Sequence, residues 1–193
     1  SFILASGSEI RKQILSDHNF NFIVQKSEVD EEDLKEIYKD LPFEEKAIKL
    51  ALAKAIKVSE LNQNKYVLGA DQMCVYKNKV LNKPGNAKNA VNSLKLLSGG
   101  VHYQYSGIAI CLNGKSLWSF CDIAILRMKD LSENDIRSYV ERDKPYECAG
   151  SYKYESHGSE LFSEVKGSSY TIQGLALTPL LKALEDLGLY FRK

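Results

Sequence analysis

The chain opens with four apolar residues, Phe2-Ile3-Leu4-Ala5, which stop abruptly at Ser6-Gly7-Ser8; the basic pair Arg11-Lys12 and the apolar pair Ile14-Leu15 follow. This pattern predicts a buried strand over 2–5, a tight turn, and a helix over 9–16. Phe20 to Gln25 alternates like a second strand. Glu28 to Lys39 carries too little apolar content for a core and reads as a loop with a surface helical piece. Pro42 opens a long helix running to about Leu61, with Ala47, Leu50, Ala51, Lys54 and Val58 at helical spacing. Tyr66–Tyr76 is a mainly apolar strand, joined through Asn78 to a short partner at Lys79–Leu81. A helix over Ala87–Leu97 ends at Ser98-Gly99-Gly100. Val101–Leu112 and Lys115–Leu126 form a long antiparallel pair turning at Asn113-Gly114. Ser132 caps a helix to Glu141, and the last helix covers Thr178–Leu189 with Pro179 at its first position.

The mixture of hairpins and strand–helix alternation predicts an α/β fold with a mixed, twisted sheet flanked by helices. With 193 residues, one continuous domain over 1–193 is expected, with two lobes around a cleft. There are 26 basic and 25 acidic side chains, a net charge of +1, which argues against a general nucleic-acid-binding face. Cys74, Cys111, Cys121 and Cys148 lack metal or redox spacing, and the first three sit in apolar runs as expected for reduced core thiols. His18, His102 and His157 are scattered and pair with nothing at ligand spacing. No apolar run has membrane-spanning length and no leader is visible, so a cytoplasmic protein is expected.

Candidate chemistry gathers at strand ends. At the opening turn, free backbone N–H groups, the hydroxyls of Ser6 and Ser8 and the Arg11 guanidinium can converge on one point, a ready phosphate site. Asp71 interrupts an apolar strand. Burying an unpaired carboxylate is costly, so Asp71 is expected to be paired, metal-bound, or at the mouth of a site. Lys83 precedes a Pro84-Gly85 turn that holds its ammonium on a short loop. Lys54 falls on or beside the buried stripe of the long helix, as a snorkelling lysine or as one aimed at a ligand.

In this order the motifs resemble the Maf family of nucleoside triphosphate pyrophosphatases over essentially the whole chain. The opening Leu4-Ala5-Ser6-Gly7-Ser8 with Arg11, the acidic turn Val29-Asp30-Glu31, Leu50-Ala51 with Lys54-Ala55, Gly69-Ala70-Asp71 and Lys83-Pro84 carry the likeness. Leu97-Ser98-Gly99 with His102, Ala149-Gly150-Ser151-Tyr152, Gly167, Gly174-Leu175 and Pro179 continue it. Gln72 and Glu155 resemble the branch acting on 7-methyl-GTP; the thymidine and uridine triphosphate branch has Thr and Gln there. A carboxylate such as Glu155 can accept from the N1–H and N2 amino edge of guanine. Glu9 and Ile10 depart from the family, which commonly has Pro and Arg at these places. The methylguanine branch often carries an aromatic where Ile10 stands. Ile10 offers no cation–π contact, leaving Tyr152 or Tyr154 to stack on a base.

The resemblance implies a Maf/ITPase-like fold with a nucleotide cleft. It also implies hydrolysis of the α–β phosphate bond of a non-canonical or modified nucleotide, 7-methyl-GTP foremost, to the monophosphate and pyrophosphate. It assigns Asp71, Lys83, Glu31 and Lys54 to catalysis, Ser6, Ser8 and Arg11 to phosphate, and Ile10, Gln72 and Glu155 to base choice. Asp71 and Glu31 would hold a divalent Mg²⁺ or Mn²⁺ ion, which prefers oxygen ligands. The expected partner is the nucleoside triphosphate substrate, without stable nucleic acid or membrane, and a homodimer stays open. Two other readings remain, a nucleotide-binding regulator of septation without turnover and a thymidine or uridine triphosphate pyrophosphatase.

Overall fold

A computed structural model describes residues 1–193. Seven strands form one sheet, β1 (Phe2–Leu4), β2 (Phe22–Val24), β3 (Tyr66–Tyr76), β4 (Lys79–Leu81), β5 (Val101–Leu112), β6 (Lys115–Met128) and β7 (Phe162–Lys166). Their order is β2-β1-β3-β5-β6-β7, with β4 paired to β3. β1 is parallel to both β2 and β3, whereas β3–β4 and β6–β7 are antiparallel. The helices are α1 (Glu9–Asp17), α2 (Glu31–Ile37), α3 (Phe43–Leu61), α4 (Ala87–Leu97), α5 (Glu133–Asp143), α6 (Ser169–Gln173) and α7 (Leu177–Asp186), with a 3₁₀ turn over His157–Leu161. The expected α/β class with a mixed sheet is therefore the observed one.

The chain divides into two compact units. The first comprises Ser1–Asp71, Ser106–Asp122 and Gly174–Lys193, and the second Gln72–Tyr105 and Ile123–Gln173. In the first, Ile3 of β1, Ala5 just after it, Val67 of β3, and Ala109 and Cys111 of β5 pack on Ala51, Ala55 and Val58 of α3. The small residues serve close approach. A Cβ on Gly69 would meet the Ala51 carbonyl oxygen and the Ala55 Cβ, and one on Gly107 would meet the Ala47 carbonyl oxygen. The second unit packs Leu94 and Leu97 of α4 and Ile136 and Val140 of α5 with Leu126, Met128 and Phe162.

Several elements differ from expectation. Only Phe22–Val24 of the segment 20–25 forms regular strand, because Phe20 instead bridges Arg192 near the far end of the chain. β6 continues two residues past Leu126, where Met128 pairs with Phe162 of β7. The last helix starts at Leu177 and stops at Asp186, placing Pro179 third. The missing proline N–H costs nothing in a first turn. Gly188 at φ 66° and the Leu189 N–H donated to the Leu184 carbonyl (2.8 Å) end the helix early. The pattern along the chain does not predict the 3₁₀ turn, β7 or α6; each is five residues long, and their Leu161, Phe162 and Ile172 join a core cluster with residues of α4 and α5. All four cysteines are free, and no helix is long and apolar enough to cross a membrane.

Candidate active site

The opening turn is built by local hydrogen bonds. Ser8 is the N-cap of α1, its Oγ accepting from the Arg11 backbone N–H at 3.4 Å. Ser6, almost fully buried, accepts from the Ser8 N–H (3.3 Å) and from Arg11 Nη1 (3.0 Å). This leaves the Ser6 hydroxyl proton as a donor. Arg11 Nε donates to the Gly174 carbonyl at 2.8 Å, which fixes the guanidinium plane. Burial lowers the Arg11 pKa, while Asp71 and Glu31 oppose that shift, so both carboxylates lie within electrostatic reach of the guanidinium. The structure thus gathers Ser6, Ser8 and Arg11 as the sequence predicts, with Ile10 half-buried on the same helix turn. It adds Lys26, whose Cδ lies 3.4 Å from where a Cβ on Gly7 would stand. No sequence signal marked that lysine, because an exposed lysine after a short strand looks like ordinary surface.

Lys54 joins the acidic members. Its Nζ lies 2.7 Å from Glu31 Oε1 and 2.9 Å from Asp71 Oδ1, and donates to the Ala70 carbonyl at 3.3 Å. The side chains of Lys54 and Asp71 are each only 12% exposed, so the Lys54 ammonium does not snorkel to solvent but is held by carboxylates. The packing explains how it arrives there. Ala51 and Ala55 straddle Gly69, so α3 lies directly on β3 and carries Lys54 to the carboxylate two residues beyond that glycine. Glu31 is placed by the start of α2, whose N-cap Asp30 accepts from the Asp33 N–H at 3.0 Å. Asp71 Oδ2 is buried with no hydrogen-bond partner. An orphaned carboxylate oxygen costs about 1–3 kcal/mol and points to a ligand.

The remaining predicted residues, Gln72, Lys83 and Glu155, belong to the second unit. Gln72 is half-buried, its Nε2 donating to Gln104 Oε1 at 2.8 Å. Lys83 is exposed on a loop pinned by the Gly85 N–H to the Tyr146 carbonyl (2.9 Å) and by Asn89 Nδ2 to the Pro84 carbonyl (3.0 Å). Glu155 is exposed on a segment anchored to α5: Tyr139 Oη accepts from the Lys153 N–H (2.8 Å), and Asp143 accepts from Ser156 Oγ and the His157 N–H (both 3.0 Å). Burial pushes the Cys148 thiol up to about 11, with Glu155 adding and Lys153 and Lys83 opposing, so Lys83 and Glu155 act on the same thiol. Tyr152 cannot stack on a base. It is buried, edge-on to Phe162 at 4.9 Å, with its hydroxyl engaged by His102 and Gln104. Tyr154 is half-buried against the same phenyl ring (6.0 Å). Gln104 and His102 are the polar residues here that the sequence did not mark as functional.

No group of three or more His, Cys, Asp or Glu side chains is arranged to hold a metal. Two carboxylates, one with a free buried oxygen, nevertheless suit Mg²⁺, which is usually held by one or two carboxylates together with substrate phosphates.

A basic turn facing a lysine-bridged pair of carboxylates is the equipment of phosphoanhydride chemistry. A family model described as Maf-like protein matches residues 1–187, and the chain belongs to the Maf family. A nucleoside triphosphate pyrophosphatase of Legionella pneumophila (strain Philadelphia 1) is 40% identical over 185 residues, 96% of this chain and 92% of that protein. One from Nitrobacter hamburgensis is 34% identical over 189 residues, 97% and 94% of the two chains. A solved HAM1 protein from Coxiella burnetii has a TM-score of 0.46 at 14% identity, over 96% of this chain and 98% of that one; the fold class rests on the sheet order instead.

Proposed function

We propose that this chain is a pyrophosphatase that hydrolyses the α–β bond of a modified purine nucleoside triphosphate, 7-methyl-GTP foremost, releasing the monophosphate and pyrophosphate. That it is a nucleoside triphosphate pyrophosphatase, and hence a hydrolase of acid anhydrides, rests on family membership and on the names of relatives at 40% and 34% identity. The observation that carries the reading of the site is the orphaned Asp71 Oδ2 beside the Lys54 ammonium. Lys54 occupies Asp71 Oδ1 and leaves the second oxygen to accept the proton of the attacking water. As water adds at phosphorus, the bridging oxygen departs with pyrophosphate. Arg11, Ser6 and Ser8 bind the phosphate chain, and Lys83 is a further catalytic cation. Glu31 and Asp71 would hold a divalent cation, which neutralises phosphate charge when bound.

Base choice falls to Gln72, Glu155 and Ile10 in this reading, with the cytoplasm as the compartment that supplies both nucleotides and reduced thiols. Pyrophosphate release across a nucleotide panel tests it. 7-Methyl-GTP should lead, with thymidine and uridine triphosphates poor, and Glu155→Gln should narrow or reverse that gap. Best turnover of thymidine triphosphate would refute the purine assignment. Arg11→Lys should weaken activity on every nucleotide about equally, since lysine cannot reproduce a two-pronged guanidinium contact. Loss confined to one base would move Arg11 to base recognition.

A further inference from the structure

The start of β5 reads Val101-His102-Tyr103-Gln104-Tyr105-Ser106, polar at every second place, and the structure turns the polar set inward. His102, Gln104 and Ser106 are 0%, 1% and 0% exposed, while Tyr103 is 38% exposed. Burying a row of polar groups is unfavourable unless they are bonded in a defined order. The order here can be worked out. Gln72 Nε2 faces three acceptors, Gln104 Oε1 at 2.8 Å and the Thr171 and Ile172 carbonyls at 3.2 Å each. Carbonyls only accept, so the Gln72 nitrogen must point at them and its amide cannot be reversed. Gln104 therefore presents its oxygen to Gln72 and its nitrogen to the Tyr152 hydroxyl at 2.7 Å. With that lone pair occupied, the Tyr152 O–H is left to donate to His102 Nε2 at 2.8 Å, which puts the ring proton on Nδ1.

The reverse tautomer would leave the Tyr152 proton without a partner as well as His102 Nδ1. Burial pushes His102 down to about 4 and raises Tyr152, so the first remains a neutral acceptor and the second a donor near neutral pH. Gly150 makes room for the line. At φ 89° it would, with a Cβ, meet Tyr152 Cε1 and Cys74 Sγ at 3.0 Å and Gln104 Nε2 at 3.4 Å. The line of bonds ends at His102 Nδ1 and at Gln72 Oε1, both buried without a partner; Ser106 Oγ of the same inward set also has none and stands outside the line.

We propose that His102, Tyr152 and Gln104 are positioning residues that lock the Gln72 amide with its oxygen presented to the nucleotide base as an obligate acceptor. Such an acceptor favours guanine, whose N1–H and N2 amino group form a continuous donor edge, over thymine, whose single N3–H is flanked by two carbonyls. The inference rests on the reading of Gln72 as base-selective and adds the device that sets its polarity.

The test compares kcat/KM for 7-methyl-GTP and thymidine triphosphate in four variants. Gln72→Leu and Tyr152→Phe should each lower the ratio about tenfold, the scale of one lost hydrogen bond, mainly through a higher KM for the guanine nucleotide. His102→Leu should lower it similarly, and His102→Gln, which can still accept from Tyr152, should restore much of it. A packing role alone would depress both nucleotides in parallel. An unchanged ratio in Gln72→Leu would overturn base selection by Gln72 and the inference with it. A changed ratio there but not in Tyr152→Phe or His102→Leu would overturn the positioning line and leave Gln72 in place. The wild-type chain supplies a check free of folding defects. ¹H–¹⁵N spectra of its histidine rings should show His102 protonated at Nδ1, and a proton on Nε2 would overturn the derived order.

Discussion

Asp71→Asn is expected to leave the fold intact and to cut turnover by about two or more orders of magnitude, the scale of an acid–base role. Asparagine matches the carboxylate in shape, and its Oδ1 can keep the 2.9 Å contact from Lys54. What it puts at the place of the orphaned Oδ2 is an amide nitrogen, a donor where water or a cation needs an acceptor. Nucleotide affinity should change far less than rate, because the phosphate contacts proposed for Arg11, Ser6 and Ser8 do not involve Asp71. Steady-state release of pyrophosphate with a thermal melt of the same sample checks both halves. Near-native turnover would remove Asp71 from the chemistry.

Lys54→Met has the second largest expected effect, and it acts on stability as well as rate. The methionine keeps the apolar stem against α3 but withdraws the ammonium shared by Glu31 and Asp71. Removing one member of a largely buried pair is strongly destabilising, about 3 kcal/mol, because the other charge is left uncompensated. Glu31 is half exposed and accounts for little of this, since its charge is screened by solvent. The double variant Lys54→Met/Asp71→Asn should therefore recover much of the stability lost by Lys54→Met while remaining inactive. Additive destabilisation in a denaturant series would show that the ion pair does not hold Asp71 as proposed.

The parts of this molecule that were legible in the sequence are those with local causes. The β3–β4 and β5–β6 turns needed left-handed residues, and Lys77, Asn78, Asn113 and Gly114 adopt them (φ 47°, 63°, 51° and 74°). Ser132 and Asp135 complete a reciprocal cap on α5 within four residues. Ser6, Ser8 and Arg11 meet within one turn of chain, so their convergence could be expected before any fold was known. Lys54 and Asp71 stood out as lone charges in apolar stripes. Illegible were the features whose partners lie far away. β7 exposes three of its five residues, Ser163, Glu164 and Lys166, and pairs with the end of β6, so its alternation is weak. His102 and Gln104 were misleading for a different reason. Alternation on a strand tells that two faces differ, and polar residues ordinarily take the wet one. Here the polar face is inside, where hydrogen bonds to Tyr152 and Gln72 engage His102 and Gln104, and such inversions concentrate at functional sites.

The most direct measurement follows the products by ³¹P NMR as 7-methyl-GTP is turned over in the presence of Mg²⁺. The account predicts pyrophosphate and the nucleoside monophosphate in equal amounts, with this signal lost in Asp71→Asn. Orthophosphate with the diphosphate, or binding without turnover by the wild-type chain, would contradict it.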